Sequence, residues 1–343
     1  MDERTRRVRY SGKNPRKFHE KYKELNPDRY ASGVQKVLAA GKTPAGSHRA
    51  IMVEDVLRLL APRPGEVAID CTLGFGGHAR AILECLRPGG RLIGLDVDPL
   101  ELPRTEERLR ASGFDVASFV VHRSNFAGLP RVLAKEGLTG ADVILADLGV
   151  SSMQLDNPDR GFTYKESGPL DMRMNPARGE PASQLLVRLS EEKLARVLED
   201  HADEPFADAI ASRLKVQPIA TTADLDRIVR AAVMRERPQT QKRDVDASVR
   251  RTFQALRIEV NDELASLDML LRHLPGCLMP GGRAAFLTFH SGEDRRVKKA
   301  LQAGYREGVY SAVADEVVRP SAEEVRANPR AASAKLRWAV RSR

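Results

Sequence analysis

A glycine-rich turn and a downstream carboxylate are spaced in a way typical of nucleoside-binding sites. The turn Asp70-Cys-Thr-Leu-Gly-Phe-Gly-Gly-His78 follows a short apolar run, and Asp96 ends the next apolar run, 22 residues after Gly74. Glycines let a backbone turn tightly and let a ligand approach it closely. A carboxylate at the second strand end can accept hydrogen bonds from both ribose hydroxyls. The pattern therefore predicts a site for an adenosine-containing cofactor.

Both NAD and S-adenosylmethionine suit this geometry, and three features favour S-adenosylmethionine. The glycines do not follow the G-x-G-x-x-G spacing of dinucleotide sites. Asp70 precedes the turn, where it could hold a methionine amine, and Asp147 ends a further apolar run, where adenine or a reacting group can be met. A pyrophosphate would need the helix N-terminus that His78 occupies. A dehydrogenase stays the less favoured alternative.

The elements that must position these residues alternate between strands and helices. Apolar runs at 67–70, 92–95, 119–121, 143–146 and 284–289 are strand-like and are separated by helical patterns. This order predicts a mostly parallel, doubly wound α/β sheet. Residues 153–247 show only helical patterns, so we expect a helical insertion there. A long amphipathic helix is predicted over 253–274, and a strand with period two over 336–340, at a sheet edge.

The net charge of +9 is concentrated at the two ends of the 343-residue chain. Residues 1–46 carry 12 Lys or Arg and 5 Asp or Glu, and residues 325–343 carry 6 basic and no acidic residues, so the rest of the chain is mildly acidic. Basic ends indicate a polyanionic partner, with nucleic acid first and solubility alone as the alternative. We expect 1–46 to be a basic, partly disordered arm.

Composition also limits the protein class. Three cysteines in so long a chain give neither a disulfide framework nor a paired metal motif. No apolar run approaches the length of a membrane span, and the charged N-terminus is not that of a secretory signal. We therefore expect a cytoplasmic protein without metal or membrane partner; its oligomeric state is left open.

The longer motifs closely resemble one known family. From about His48 to the C-terminus, and in order, the chain is similar to the RsmH (MraW) family of S-adenosylmethionine-dependent rRNA methyltransferases. The blocks that carry the resemblance include DCTLGFGGH, GLDVDP, LADLGVSSMQLD, RGFTY, GPLDMRM, RRTFQALRIEVNDEL and LMPGGRAAFLTFHSGEDR. The basic arm lies outside the shared region.

The resemblance implies a fold, a reaction and a set of cofactor contacts. The fold is a class I (Rossmann-like) methyltransferase core at 47–152 and 248–343, with a helical substrate-recognition domain at 153–247. The reaction is methylation of N4 of a cytidine in the decoding region of small-subunit (16S) rRNA, which makes the small ribosomal subunit the partner. The cofactor contacts that the resemblance implies are Gly76, Gly77, His78, Asp96, Phe126, Asp147 and Gln154. Two further cofactor contacts, Asp70 and Gly74, are predicted from the glycine turn.

Methylation of a cytosine amine sets further requirements. The N4 lone pair is delocalised into the ring, so the enzyme must hold N4 in line with the methyl group, accept an N4 hydrogen bond and take a proton. The candidates are the polar groups at the strand ends, Asp147, Ser151, Ser152 and His290. The unstacked base needs a walled pocket. Its predicted RNA-binding residues are Arg160, Arg173, Arg257 and Arg295, each with a surface ion pair as the alternative.

Two departures from the family pattern leave a second function open. The block before TFQALRI, usually His-Pro-Ala-Thr, is Asp244-Val-Asp-Ala-Ser-Val-Arg250 here, which puts a substrate contact in doubt. The family's FHSLEDR is FHSGEDR, and Gly292 is expected to loosen a loop. The alternative function is therefore an RNA-binding ribosome-assembly factor with lapsed or altered methyltransferase activity.

Overall fold

The structure, a computed structural model, describes residues 50–343, so the predicted arm at 1–46 lies outside the described residues. Its centre is a seven-stranded sheet in the order β3-β2-β1-β4-β5-β7-β6. The first five strands are parallel, and β7 runs antiparallel to β5 and β6. This confirms the predicted α/β class. The strands are β1 (Val67–Asp70), β2 (Arg91–Asp96), β3 (Phe119–Arg123), β4 (Ala141–Asp147), β5 (Leu278–Thr288), β6 (Tyr310–Val313) and β7 (Lys335–Arg341).

Helices cover both faces of the sheet, so neighbouring strand residues enter different cores. Ile69 and Ile144 pack on one face, whereas Ala68 and Val143 pack on the other. Parallel strands with both faces covered have continuous apolar sequences. This is why the strands could be predicted from the sequence. The core helices are α1 (Val53–Leu60), α2 (Gly77–Leu86), α3 (Glu101–Ala111), α4 (Leu129–Lys135), α11 (Glu263–Cys277), α12 (Ser291–Arg306) and α13 (Ala322–Ala327).

Between β4 and β5 the chain is helical. A separate apolar core runs from Phe162 to Leu256, and Tyr164 packs against it. An isolated bridge between Pro169 and Thr221 is the one strand-like pairing recorded in this stretch. The helices are α5 (Ser152–Asp156), α6 (Ala182–Arg188), α7 (Glu191–Ala202), α8 (Ala207–Leu214), α9 (Thr222–Glu236) and α10 (Lys242–Asn261).

Two expectations about the second half of the chain need correction. The predicted boundary at 247/248 falls inside α10, and Val249 and Phe253 pack into the helical core. The predicted single helix over 253–274 is two helices, because Asp262 between α10 and α11 adopts a left-handed backbone conformation with φ of 52°. An apolar repeat continues through such a break, so periodicity alone did not reveal it.

The last strand is also placed differently from the expectation. β7 lies inside the sheet, between β5 and β6. The edge strand on this side of the sheet is β6, a strand that the sequence did not indicate. Lys335 and Arg337 of β7 are both paired with Asp294 of α12, at 3.0 and 2.6 Å. Part of the C-terminal positive charge is therefore neutralised within the fold. Among the described residues, no helix is long and apolar enough to cross a membrane.

Candidate active site

The glycine turn after β1 is held against the rest of the core by contacts that only glycine allows. Gly76 has φ of 82°, and a Cβ there would lie 2.9 Å from Thr105 Cγ2. A Cβ on Gly77 would lie 2.8 Å from the Cβ of Ala50. The Gly74 amide donates a hydrogen bond of 2.8 Å to Asp96 Oδ2. The turn and the acidic strand end, which the sequence grouped by spacing, are thus in direct contact.

Asp96 and Asp147 are the acidic groups that end β2 and β4, the two strands that flank β1. Asp96 Oδ1 also accepts the amide of Asp98, at 2.9 Å, and burial raises the pKa of Asp96 to about 6. Burial, with the nearby charge of Glu293, raises the pKa of Asp147 to about 7. Asp147 Oδ2 lies 3.5 Å from His78 Nδ1, whereas Oδ1 is buried and has no hydrogen-bond partner among the described residues. A buried carboxylate oxygen without a protein partner calls for a donor from a ligand.

Asp70 lies behind the turn, not in the site. It is 1% exposed, accepts the Thr72 amide at 3.1 Å and does not line the cavity described below. Burial raises its pKa to about 6. The predicted contact with a methionine amine is therefore corrected: Asp70 fixes the start of the turn. Burial lowers the pKa of its neighbour His78, whose Nε2 lies 2.9 Å from the Ile51 carbonyl oxygen.

A buried polar cluster that sequence reasoning missed connects β2 with the loop after β4. Asp98, 1% exposed, accepts hydrogen bonds of 2.8 Å from both Arg160 Nη1 and Gln154 Nε2. Arg160 Nη2 donates to the backbone oxygens of Arg173 and Met174, at 3.1 and 2.8 Å. The second aspartate of GLDVDP was the signal in the sequence. Its partners lie 56 and 62 residues away, which no local pattern indicates.

The loop after β4 is shaped by its own side chains. Ser151 caps α5 in a capping box: its Oγ accepts the Gln154 amide, and Gln154 Oε1 accepts the Ser151 amide. Both ends of the Gln154 amide are therefore engaged, although the residue lines the cavity. Ser152 also lines the cavity. Of the two predicted catalytic serines, Ser151 therefore already has a structural role, which is to cap α5.

His290 and Glu293 form a buried pair where β5 ends and α12 begins. His290 Nε2 lies 3.1 Å from Glu293 Oε1, and Glu293 Oε2 accepts the Phe289 amide at 2.8 Å. Burial pushes the Glu293 pKa up, but the contact and charge of His290, the Phe289 amide and the charge of Arg257 together outweigh it, and the pKa is lowered. Gly292 is buried in the first turn of α12, and a Cβ there would lie 3.1 Å from His290 Nδ1. The expected loosened loop is thus wrong: the glycine makes room for the imidazole.

One cavity of about 1800 Å³ collects most of the predicted residues. Small-ligand pockets typically measure about 300 to 1,000 Å³, so there is room for a second ligand beside a cofactor. The wall carries the carboxylates of Asp96, Asp147 and Glu293, which suits a cationic ligand. The cavity is lined by Gly74, Gly76, Gly77, His78, Asp96, Phe126, Asp147 and Gln154 of the predicted cofactor site, and by Ser151, Ser152 and His290.

The four predicted RNA-binding arginines already have partners within the protein. Arg160 is the buried residue of the Asp98 cluster and does not line the cavity, so its predicted RNA contact is corrected. Arg173 is bound by Asp171, and Arg257, which does line the cavity, is held by both carboxylate oxygens of Glu263. Arg295 forms a loose, exposed pair with Asp203 at 3.6 Å.

Comparison with known proteins identifies the relatives of this site. The model of the MraW methylase family matches residues 45–342. The chain belongs to the MraW methylase family. S-adenosylmethionine is therefore its methyl donor, which excludes the dehydrogenase alternative, and the fold is the Rossmann-like one of methyltransferases. The acidic cavity wall and the unpartnered oxygen of Asp147 fit a sulfonium donor and an amine substrate.

Individual relatives correct the expectation for the arm. Ribosomal RNA small subunit methyltransferase H 1 of Agathobacter rectalis is 47% identical over 98% of this chain and 97% of its own length. Methyltransferase H 2 of Alkaliphilus metalliredigens is 46% identical over 99% of each chain. Matches of this extent must include most of residues 1–46. Methyltransferase H of Heliobacterium modesticaldum, 44% identical, matches only 86% of this chain. The arm is thus shared with some relatives, contrary to the expectation.

Proposed function

We propose that this family member transfers a methyl group from S-adenosylmethionine to N4 of a cytidine in the decoding region of small-subunit (16S) rRNA. The observation that carries the proposal is the Asp147 carboxylate, which is 28% exposed and for which no side-chain hydrogen bond is recorded within residues 50–343. It lines the same cavity as the glycine turn and Asp96, where a donor would be held. An exocyclic amine supplies an N–H that this carboxylate can accept. The names of the relatives support rRNA of the small subunit as the substrate.

Asp147 has the properties needed to assist attack by N4. The bound donor supplies an electrophilic methyl group. A hydrogen bond from N4 to the Asp147 carboxylate localises the nitrogen lone pair and orients it within the cavity. Since the pKa of Asp147 is raised to about 7, the carboxylate is also basic enough to take the proton that N4 releases.

His290 is the second candidate for the proton. Both of its ring nitrogens are buried and neither forms a hydrogen bond of good geometry within residues 50–343, although Nε2 lies 3.1 Å from Glu293 Oε1. A base oriented by a carboxylate is a recurring catalytic arrangement. We assign the amine hydrogen bond to Asp147 and a positioning role to Glu293, and we treat the helical segment after β4 as the region that recognises RNA.

The altered block before TFQALRI bears on the alternative, a lapsed assembly factor. Val245, Ser248 and Val249 of that block are buried, and Ser248 Oγ donates to Glu204 in the helical core. The changes at these three positions therefore alter packing of α10, whereas Arg250 is the position of the block that lies on the cavity wall. Asp96 and Asp147, the groups assigned to the donor and the amine, lie outside the block, and this supports an active enzyme over a lapsed one.

The direct test uses unmethylated small ribosomal subunits. The protein is incubated with these subunits and a methyl-labelled donor, and the modified nucleotide is mapped in the recovered rRNA. We expect label in one cytidine of the decoding region, on N4. Asp147→Asn serves as the matched variant with reduced transfer. Stable binding of subunits without any label in RNA would favour the assembly-factor alternative.

A further inference from the structure

Arg250 lies on the cavity-facing side of α10. Phe253, Gln254 and Arg257 follow it by three, four and seven residues, and all four line the cavity. Residues at these spacings share one face of a helix. The neighbouring Arg251 is not part of the cavity wall and instead approaches Glu204, at 3.9 Å.

Unlike Arg257 and Arg330, Arg250 has no recorded ion pair within residues 50–343; its charge acts on Asp246, one turn earlier on α10, but Arg230 binds that carboxylate at 2.6 Å. Arg257 is held by Glu263, and Arg330 is bound to Asp156 at 2.7 Å. Arg250 is exposed, and no ion pair or hydrogen bond to its guanidinium is recorded in the described part of the chain. Arg80 shares this property but stands on α2, next to the glycine turn. An exposed guanidinium at the rim of an acidic cavity is placed to meet an anion before it reaches the acidic wall.

The surface next to Arg250 is aromatic. The rings of Tyr164 and Phe253 meet edge to face with centroids 5.4 Å apart, and both residues line the cavity. Proteins that bind single-stranded RNA combine aromatic faces, on which bases stack, with cations that meet the phosphates. The altered block before TFQALRI ends in Arg250, and it is the member of that block that lines the cavity.

Resting on the proposed function, we propose that Arg250 binds a backbone phosphate next to the target cytidine, while the Tyr164 side of the cavity receives the unstacked base. This role replaces the RNA contacts first predicted for Arg160, Arg173 and Arg257, whose guanidinium groups are engaged within the protein. Arg250 acts on RNA binding and register, and it takes no part in donor binding or proton transfer.

The test compares Arg250→Gln, Arg250→Lys and the matched control Arg251→Gln. Binding of unmethylated small subunits is measured by filter binding over a range of salt concentrations. Loss of one phosphate contact weakens binding and lowers the slope of log K against log salt by about 0.7 to 1. We expect Arg250→Gln to raise KM for subunits about tenfold with kcat nearly unchanged, as for loss of uniform binding. Arg250→Lys should restore the slope.

The control separates a specific contact from a general loss of charge. Arg251→Gln makes the same change in net charge on the same helix and should keep the wild-type slope. An unchanged slope in Arg250→Gln, or an equal decrease in both glutamine variants, would overturn the proposal. The binding slope does not depend on catalysis. If the wild-type enzyme transferred no methyl group, the proposed function would fail while the slopes still decided the role of Arg250.

Discussion

Replacing Arg160 by methionine should destabilise the protein strongly. Asp98 is 1% and Arg160 8% exposed, and the guanidinium donates to one carboxylate and two backbone oxygens. Removing one partner of a buried pair leaves an uncompensated charge and costs about 3–5 kcal/mol. Methionine keeps much of the length and apolar volume of arginine, so most of the loss is polar.

The assay is reversible urea unfolding, with thermal unfolding as a second measurement. A loss of this size corresponds to a midpoint about 6 °C lower or more, at about 2–4 °C per kcal/mol for a large domain. Arg295→Met is the matched control, because Arg295 and Asp203 are 58% and 68% exposed and lie 3.6 Å apart. Exposed pairs of this kind contribute about 0–1 kcal/mol.

A double variant with Asp98→Asn tests the cause of the loss. If the cost arises from an unpaired buried charge, the double variant loses less than the sum of the two single variants. The reasoning is refuted if Arg160→Met unfolds within about 1 kcal/mol of Arg295→Met, since the pair would then contribute no more than an exposed one.

Three further predictions concern the acidic residues. Asp96→Ala should abolish S-adenosylmethionine binding in calorimetry, because Asp96 also holds the Gly74 amide; unchanged affinity would contradict the donor site. kcat/KM for the donor should rise as the pH increases through about 7, because Asp147 ionises in this range. The Asp147→Asn variant should lose most of the activity and should not show this rise. A flat wild-type profile from pH 6 to 8 would argue against a catalytic role of Asp147. The pKa of Asp70 is raised by burial, so the folded state holds a proton that the unfolded state has released, and Asp70 stabilises the fold less as pH rises from about 4 to about 6. The stability of Asp70→Asn, measured by urea unfolding, should therefore increase relative to wild type over that range; a constant difference would contradict the burial argument.

The parts of the fold that the sequence predicted are those fixed by short stretches of chain. Parallel strands buried on both faces read as apolar runs, and the glycine turn and Asp96 are set by the ends of β1 and β2. β6 was not predicted because it has only four residues, of which only the first and the last are buried. The boundary at 247/248 was misplaced because helical periodicity shows that a face is buried but not against which core it packs.

The roles of the site arginines could not be predicted from the sequence for a different reason. Residue type and a nearby loop indicate positive charge, but the pairing partner decides whether that charge is available. Arg173 has its partner Asp171 two residues away, a proximity that could have been weighed. Arg257 and Glu263 pair across the break between α10 and α11, and the prediction of one continuous helix hid that contact. An arginine without an ion pair among the described residues, such as Arg250, is recognised only after all these pairs are known.

The Asp98 cluster also limits how the two sides of the cavity can move. The Asp98 amide holds Asp96, and its carboxylate holds Arg160, which binds the backbone at Arg173 and Met174. The Met174 amide in turn donates to Asn261 Oδ1 at the end of α10, the helix of Arg250. A continuous set of hydrogen bonds therefore joins Asp96, the carboxylate predicted to bind the ribose, to the proposed RNA-binding helix. If these hydrogen bonds hold the loop rigid, RNA binding does not have to order it. Weakening the pair between Arg160 and Asp98 should then impair both RNA binding and donor binding. Loss of Arg250 should impair RNA binding alone.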